Sequence, residues 1–246
     1  MSDDNSKSRW RGLSESAQEA LEIRNYASPN LSQRLIDGRV EAKELVDGVA
    51  GRELTIAGVE VFHRMVYPQR YRGYFSEFAR KGEGTVGKIG LWPKQWATAV
   101  MSSDTAKGFH IHPPYIPEGE DPEKWFQRLF VEQPDNYDAR PYDKEQWDVM
   151  FFIKGTVEML LVDERVGMPR KVMRFFIEGD DTPGPNNVGV VIPAGVAHAL
   201  KCASDGPVTM VYGTSTTFDP EAEGRIASGV EQAQLPEDWS DYLDSK

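Results

Sequence analysis

The stretch Trp147–Val162, WDVMFFIKGTVEMLLV, decides the fold. Two runs rich in Val, Ile, Leu, Phe and Met flank Ile153-Lys154-Gly155-Thr156, which reads as a tight hairpin turn. Working outward, similar short runs recur, broken by Gly, Pro, Asn and Asp. Before it come Val59–Val66, Tyr71–Ala79, Gly84–Leu91, Trp96–Met101 and Gly108–His112. After it come Lys171–Ile177, Gly189–Ile192, Ala197–Cys202 and Val208–Gly213. About eleven strands at this spacing, with no helical pattern between them, predict an all-β domain over residues 56–220, a sandwich or closed β-barrel.

Three segments stand outside this grammar. Residues 1–55 carry helix formers in Ser14–Asn25 and mixed three- and four-residue apolar spacings in Leu31–Val49, with Ser14 as a helix start. They predict a short helical N-terminal extension packed outside the main domain. Residues 113–145 form a long insertion rich in Pro, Asp, Glu and aromatics, within which Glu123–Glu132 reads as a short helix. A loop of this length next to a candidate ligand reads as a lid. Residues 221–246 are an acidic tail containing Trp239 and Tyr242.

Composition excludes several partners. The chain has 28 Lys and Arg against 39 Asp and Glu, a net charge of −11, which disfavours nucleic acid and anionic membranes. Its single cysteine, Cys202, forms no intramolecular disulfide. Met1-Ser2-Asp3-Asp4-Asn5 lacks the apolar core of a signal peptide, and no run approaches the roughly 20 apolar residues of a membrane helix. The expectation is a cytoplasmic protein acting on a small-molecule substrate. Strand edges and the amphipathic N-terminal segment predict a homodimer.

Chemistry concentrates on the histidines, of which the chain has four. His110 and His112 alternate with Phe109 and Ile111, so on a strand they share one face. Asp148 opens a strongly apolar run, a costly place for a carboxylate unless it is solvated, paired or metal-bound. Ile192-Pro193-Ala194-Gly195-Val196-Ala197-His198 delivers a third histidine onto a strand. His63 reads as structural.

These pieces resemble the two motifs of the cupins. His110 and His112 match the paired histidines, Asp148 the acidic position (Asp for the usual Glu), Gly155 the motif glycine and His198 the last ligand. The resemblance implies a jelly-roll β-barrel holding one divalent metal ion, Mn, Fe, Co, Ni or Zn, on His110, His112, Asp148 and His198.

A longer resemblance runs to the dTDP-4-dehydrorhamnose 3,5-epimerase family, a cupin-fold group acting on nucleotide sugars. Tyr71-Arg72-Gly73-Tyr74-Phe75-Ser76-Glu77 is similar to its Arg-Gly-Phe-Phe-x-Glu segment, and Lys107-Gly108-Phe109-His110 to its Arg-Gly-Leu-His. Ile192–His198 is similar to its Ile-Pro-Glu-Gly-Phe-Ala-His, and Val211-Tyr212 to its Leu-Tyr. The resemblance implies His110 as base, Tyr212 as acid, and Arg72 and Lys107 as substrate-binding cations. The departures are chemical. The family's Gln is His112 and its Lys is Asp148, so a metal-free site has gained a cupin ligand set. The family's late Asp finds no clear counterpart, although Asp238 and Asp241 lie in its region.

The readings that follow are a metal-dependent isomerase or epimerase of a sugar or related polyhydroxy carbonyl compound, an Fe(II) dioxygenase, a metal-free nucleotide-sugar epimerase, and a non-catalytic sugar-binding cupin. In the first, the metal polarises a carbonyl while a base moves a proton between adjacent carbons, with Tyr212 as acid and Glu158 and Lys154 as weaker candidates.

Overall fold

The computed structural model describes residues 10–11, 13–22, 40–46, 55–169, 171–222 and 224–226. Two antiparallel sheets face each other. The first runs β1 (Trp10–Arg11), β13 (Gly224–Ile226), β6 (Ala106–Ile111), β11 (Val196–Cys202), β8 (Thr156–Asp163), β9 (Val172–Glu178) in spatial order. The second runs β2 (Glu60–His63), β10 (Val188–Ile192), β7 (Asp148–Lys154), β12 (Val208–Thr214), β5 (Gln95–Met101). A separate ribbon pairs β3 (Val66–Pro68) with β4 (Tyr74–Ser76). The all-β expectation holds, but the sheets form an open jelly-roll sandwich, since no ladder joins one to the other.

The turn at residues 153–156 corrects the sequence reading. β7 pairs with β10 and β12, while β8 pairs with β11 and β9, so consecutive strands go to opposite sheets. Gly155 makes a corner between layers instead of a hairpin. Its φ is +78°, and a Cβ there would meet Ser204 Oγ at 2.9 Å and the Pro207 carbonyl at 3.0 Å. Only glycine fits that corner without displacement.

β7 is buried on both faces, which explains why its sequence is almost continuously apolar. Met150 and Phe152 point between the sheets, against Met159 and Leu161 of β8 and Phe175 and Ile177 of β9. Val149 and Phe151 point to the outer side and join Val191 of β10 in a second apolar cluster. Phe151 is fully buried, with its ring against Phe62, Phe78 and Trp96. Such a ring contributes about 1.5–3 kcal/mol through burial alone.

The long insertion is what covers this outer cluster. Asp121 caps a helix at Pro122–Gln127 through Lys124 N, and a π-helical turn follows at Arg128–Glu132. Together they place Phe126, Leu129 and Phe130 against Trp147 and Val149. The residues Gly84–Lys88, read from sequence as part of a strand, are helical. Val86 and Ile89 are both buried, a three-residue spacing that suits a helix face and not a pleated strand.

The described residues of the N-terminal segment pack with the sandwich. Ser14 caps the helix Glu15–Glu19 as expected. Val40, Ala42, Leu45 and Val46, around a 3₁₀ turn at Ala42–Glu44, are buried in the inter-sheet core. Most of the predicted helix at Leu31–Val49, and Trp239, Tyr242, Asp238 and Asp241 of the tail, lie outside the described residues. No helix among the described residues is long and apolar enough to cross a membrane.

Candidate functional site

A cavity of about 380 Å³ opens between the sheets. β7 contributes Asp148 and Met150, and β12 contributes Met210, Tyr212 and Thr214, which alternate along the strand and share one face. The register sets Thr214 beside Asp148 and Tyr212 beside Met150. The opposite wall comes from Lys107 and His110 of β6, His112 just beyond it, and His198 and Leu200 of β11. His110 and His198 are cross-strand partners, their rings stacked at 5.9 Å between centroids.

A bulge explains how Lys107 and His110, three residues apart, face the same cavity. The pairing of β6 with β11 steps from His198↔His110 to Leu200↔Lys107, so Gly108 and Phe109 together face Ala199. Gly108 has φ +137°, and a Cβ there would fall 2.4 Å from the Ala199 Cβ. Phe109 turns the other way and is buried.

Three of the four predicted ligands converge. One ligand atom each from His112, Asp148 and His198 lies within 4.8 Å of the others, and all three residues are buried. His112 Nε2 stands 3.2 Å and His198 Nε2 3.6 Å from Asp148 Oδ2. His110 is not part of this cluster; it stands beside it, against the His198 ring. Gln146, which carried no motif signal, reaches Asp148 Oδ1 at 2.9 Å and His112 Nε2 at 3.0 Å through Nε2.

The electrostatics of the cluster are those of an anion between two imidazoles. Burial alone would raise the Asp148 carboxyl, but His112, His198 and the Gln146 amide outweigh it and hold the group at about 2. Burial brings His198 down to about 3 against the pull of Asp148, with His112 and His110 acting in the same direction as burial. At neutral pH the set therefore offers a carboxylate and a neutral imidazole. The His198 Nδ1 lies 3.5 Å from the Val196 carbonyl oxygen, and its Nε2 faces Asp148 Oδ2 at 3.6 Å. Imidazole and carboxylate donors turned on one point suit a borderline divalent ion.

The remaining sequence candidates divide. Lys107 and Tyr212 line the cavity. Arg72 does not; it is exposed in the 3₁₀ turn Arg70–Arg72 at the tip of the β3–β4 ribbon. Glu158 is buried against Arg174 across β8 and β9, and Lys154 is exposed at the sheet corner. His63 is exposed at the end of β2. None of the insertion residues 113–145 is among the described residues lining this cavity; Phe126, Leu129 and Phe130 pack on the outer sheet face.

Comparison with known proteins bears on the fold. Over 74% of its length the chain superposes on 75% of ChmJ, a 3'-monoepimerase from Streptomyces bikiniensis solved with dTDP, with a TM-score of 0.53 and 18% identity. The fold is that of the dTDP-sugar epimerases. The rmlC epimerase of Mycobacterium tuberculosis matches the epimerase-like jelly roll over 75% of this chain and 76% of its own, with a TM-score of 0.52 and 19% identity. By sequence, the spore coat polysaccharide biosynthesis protein SpsL of Bacillus subtilis is 24% identical over 169 residues, 68% of this chain and 84% of that protein. No family model matches.

Proposed function

We propose that this epimerase-like jelly roll is an epimerase or isomerase of a keto-sugar or related polyhydroxy carbonyl compound. One observation carries the reading: a closed set of acid–base groups, His110, His198 and Tyr212 with Lys107, lines one cavity between the sheets. The solved epimerases of the same fold and the polysaccharide-biosynthesis relative point to the same substrate class.

His110 is the group we assign as base. It lines the cavity beside the His112–Asp148–His198 cluster, where a base can take a proton from the carbon next to the carbonyl. Tyr212, on the facing sheet, donates to or accepts from the opposite side of the substrate. Lys107 supplies positive charge near the developing oxyanion.

We assign His112, Asp148 and His198 as the holders of a divalent ion. Their donor chemistry fits it: an ionised carboxylate and a neutral His198 imidazole, buried and turned toward each other, are reconciled by a cation between them. Such an ion, when bound, acts as a Lewis acid on the substrate carbonyl. Gln146 orients Asp148 and His112. Lys107 is the one lysine or arginine among the described residues lining the cavity, which favours the sugar part of the substrate, and not a diphosphate, beside Asp148.

The test is solvent exchange. The protein, incubated with dTDP-4-keto-6-deoxyglucose or a free 4-keto-sugar in D₂O, incorporates deuterium at the carbon next to the carbonyl. His110→Ala abolishes that exchange while leaving metal content unchanged. Exchange that survives His110→Ala removes the base assignment, and none with any keto-sugar removes the reading.

A further inference from the structure

A second cavity, about 920 Å³ in volume, runs along the edge strand β2, reaching both the outer face of its sheet and core residues such as Ile56 and Val61, and shares no described lining residue with the first. Its walls are β2, the helix Gly84–Lys88 and the insertion, which supplies Phe130, Tyr137, Arg140 and Tyr142. The volume is that of a site for a molecule of drug or cofactor size.

The wall carries both signs, Glu60, Asp135 and Asp163 with Lys88, Arg140 and Lys171, but leaves two buried polar atoms unpartnered. Arg140 is 7% exposed, and its Nη2 donates to the Pro134 carbonyl at 3.0 Å. Its Nη1 is buried with no hydrogen-bond partner, and the Tyr142 hydroxyl is in the same condition. Both Arg140 and Arg165 lie over the Phe130 ring, at 4.2 and 4.1 Å from its centroid. Arg165 is neutralised by Asp163 through two bonds of 2.8 and 2.9 Å. Arg140 makes no ion pair among the described residues. Glu145 and Glu60 act on the guanidinium without bonding it, so Nη1 and the Tyr142 hydroxyl still lack acceptors that a bound anion can supply. Burial lowers the proton affinity of Arg140. Lys88, at the end of its helix and near the Tyr137 ring, lines the same cavity, with Glu60 close enough to interact with it.

We propose that this second cavity binds a small organic anion whose carboxylate or phosphate pairs with Arg140 and Tyr142 and whose apolar body rests against Phe130 and Trp147. The insertion thus builds a ligand site of its own, separate from the histidine cavity. The proposal does not depend on the reaction assigned above.

The experiment titrates the full chain with 1-naphthoate, 1-naphthyl phosphate and the neutral 1-naphthalenemethanol by isothermal calorimetry. At least one anion binds saturably at one equivalent and at least tenfold tighter than the alcohol. Arg140→Met weakens it tenfold or more and, without ligand, melts no lower than the parent, while Asp148→Asn leaves it unchanged. If Arg140→Met does not fold, Lys88→Glu takes its place and weakens the anion at least threefold. Failure of both anions to saturate overturns the proposal. So does equal affinity for the alcohol, or anion affinity that is unchanged in the cavity variant or lost in Asp148→Asn. Preference for the phosphate identifies a phosphorylated ligand, and preference for the naphthoate a carboxylic acid.

Discussion

His112 Nε2 stands 3.2 Å from Asp148 Oδ2, two buried groups from opposite sheets of the sandwich held in direct contact. Asp148→Asn keeps the shape and removes the charge. The expected outcome is a fall in bound divalent metal from about one equivalent per chain to below a tenth, read by elemental analysis of protein purified without chelator or nickel column. Unchanged occupancy would show that the ion sits elsewhere.

Stability in acid carries a signature of two opposing groups. The His198 imidazole titrates near 3 in the fold against 6.5 unfolded, so its contribution is lost as pH falls below 6.5. Glu145 is the reverse. Burial pushes it up to about 7 from 4.5, against the bonds from the Trp147 indole and the Tyr115 amide. Its contribution is therefore lost as pH rises from 4.5 to 7. Between pH 4.5 and 6.5 the two slopes, each about 1.4 kcal/mol per pH unit, cancel. Urea unfolding of chelated protein should show Glu145→Gln gaining stability with pH in this window and His198→Ala losing it. Parallel profiles for both variants and the parent would refute the assignment.

Phe130→Ala separates the insertion from catalysis. The ring is buried, stacked on Trp147 at 6.2 Å between centroids. Its removal is expected to cost about 3–5 kcal/mol of stability in denaturant unfolding. The rate of the exchange reaction, measured well below the melting temperature, should stay within threefold. A drop of a hundredfold would return the insertion to the reaction site.

Gly108→Ala tests the bulge. The added methyl meets Ala199 in a backbone conformation that L-residues rarely adopt. A loss of about 1–3 kcal/mol is expected, together with loss of exchange activity, because His110 and Lys107 shift with the strand. A stable, active variant would mean that β6 relaxes without cost.

Much of the sandwich is legible in the chain because strands such as Val172–Glu178 and Val208–Thr214 carry the β-branched and aromatic residues that a pleated surface accepts. Which sheet a strand joins is not written in its periodicity, and so the Gly155 corner reads as a hairpin. The pairing of His110 with His112 on one face follows from alternation and holds in the cavity. That His112 joins the carboxylate cluster while His110 stands beside it does not follow, since it depends on where β6 ends. Gln146 left no trace because an amide is unremarkable until a carboxylate and an imidazole are placed around it. That β7 needs covering on both faces was recoverable, since Val149 and Phe151 alternate with Asp148 and Met150; which segments cover it, residues 84–91 as well as the insertion, was not.

The bulge at Gly108 and Phe109 sets a rule for how this protein can diverge. One residue fewer in that strand would leave either Lys107 or His110 on the wrong side, whereas the neighbouring insertion can lengthen or shorten without disturbing them. Changes of length are therefore expected to be tolerated in the outer layer, and a chain without the extra residue in β6 is expected to lose one of these two side chains from the cavity.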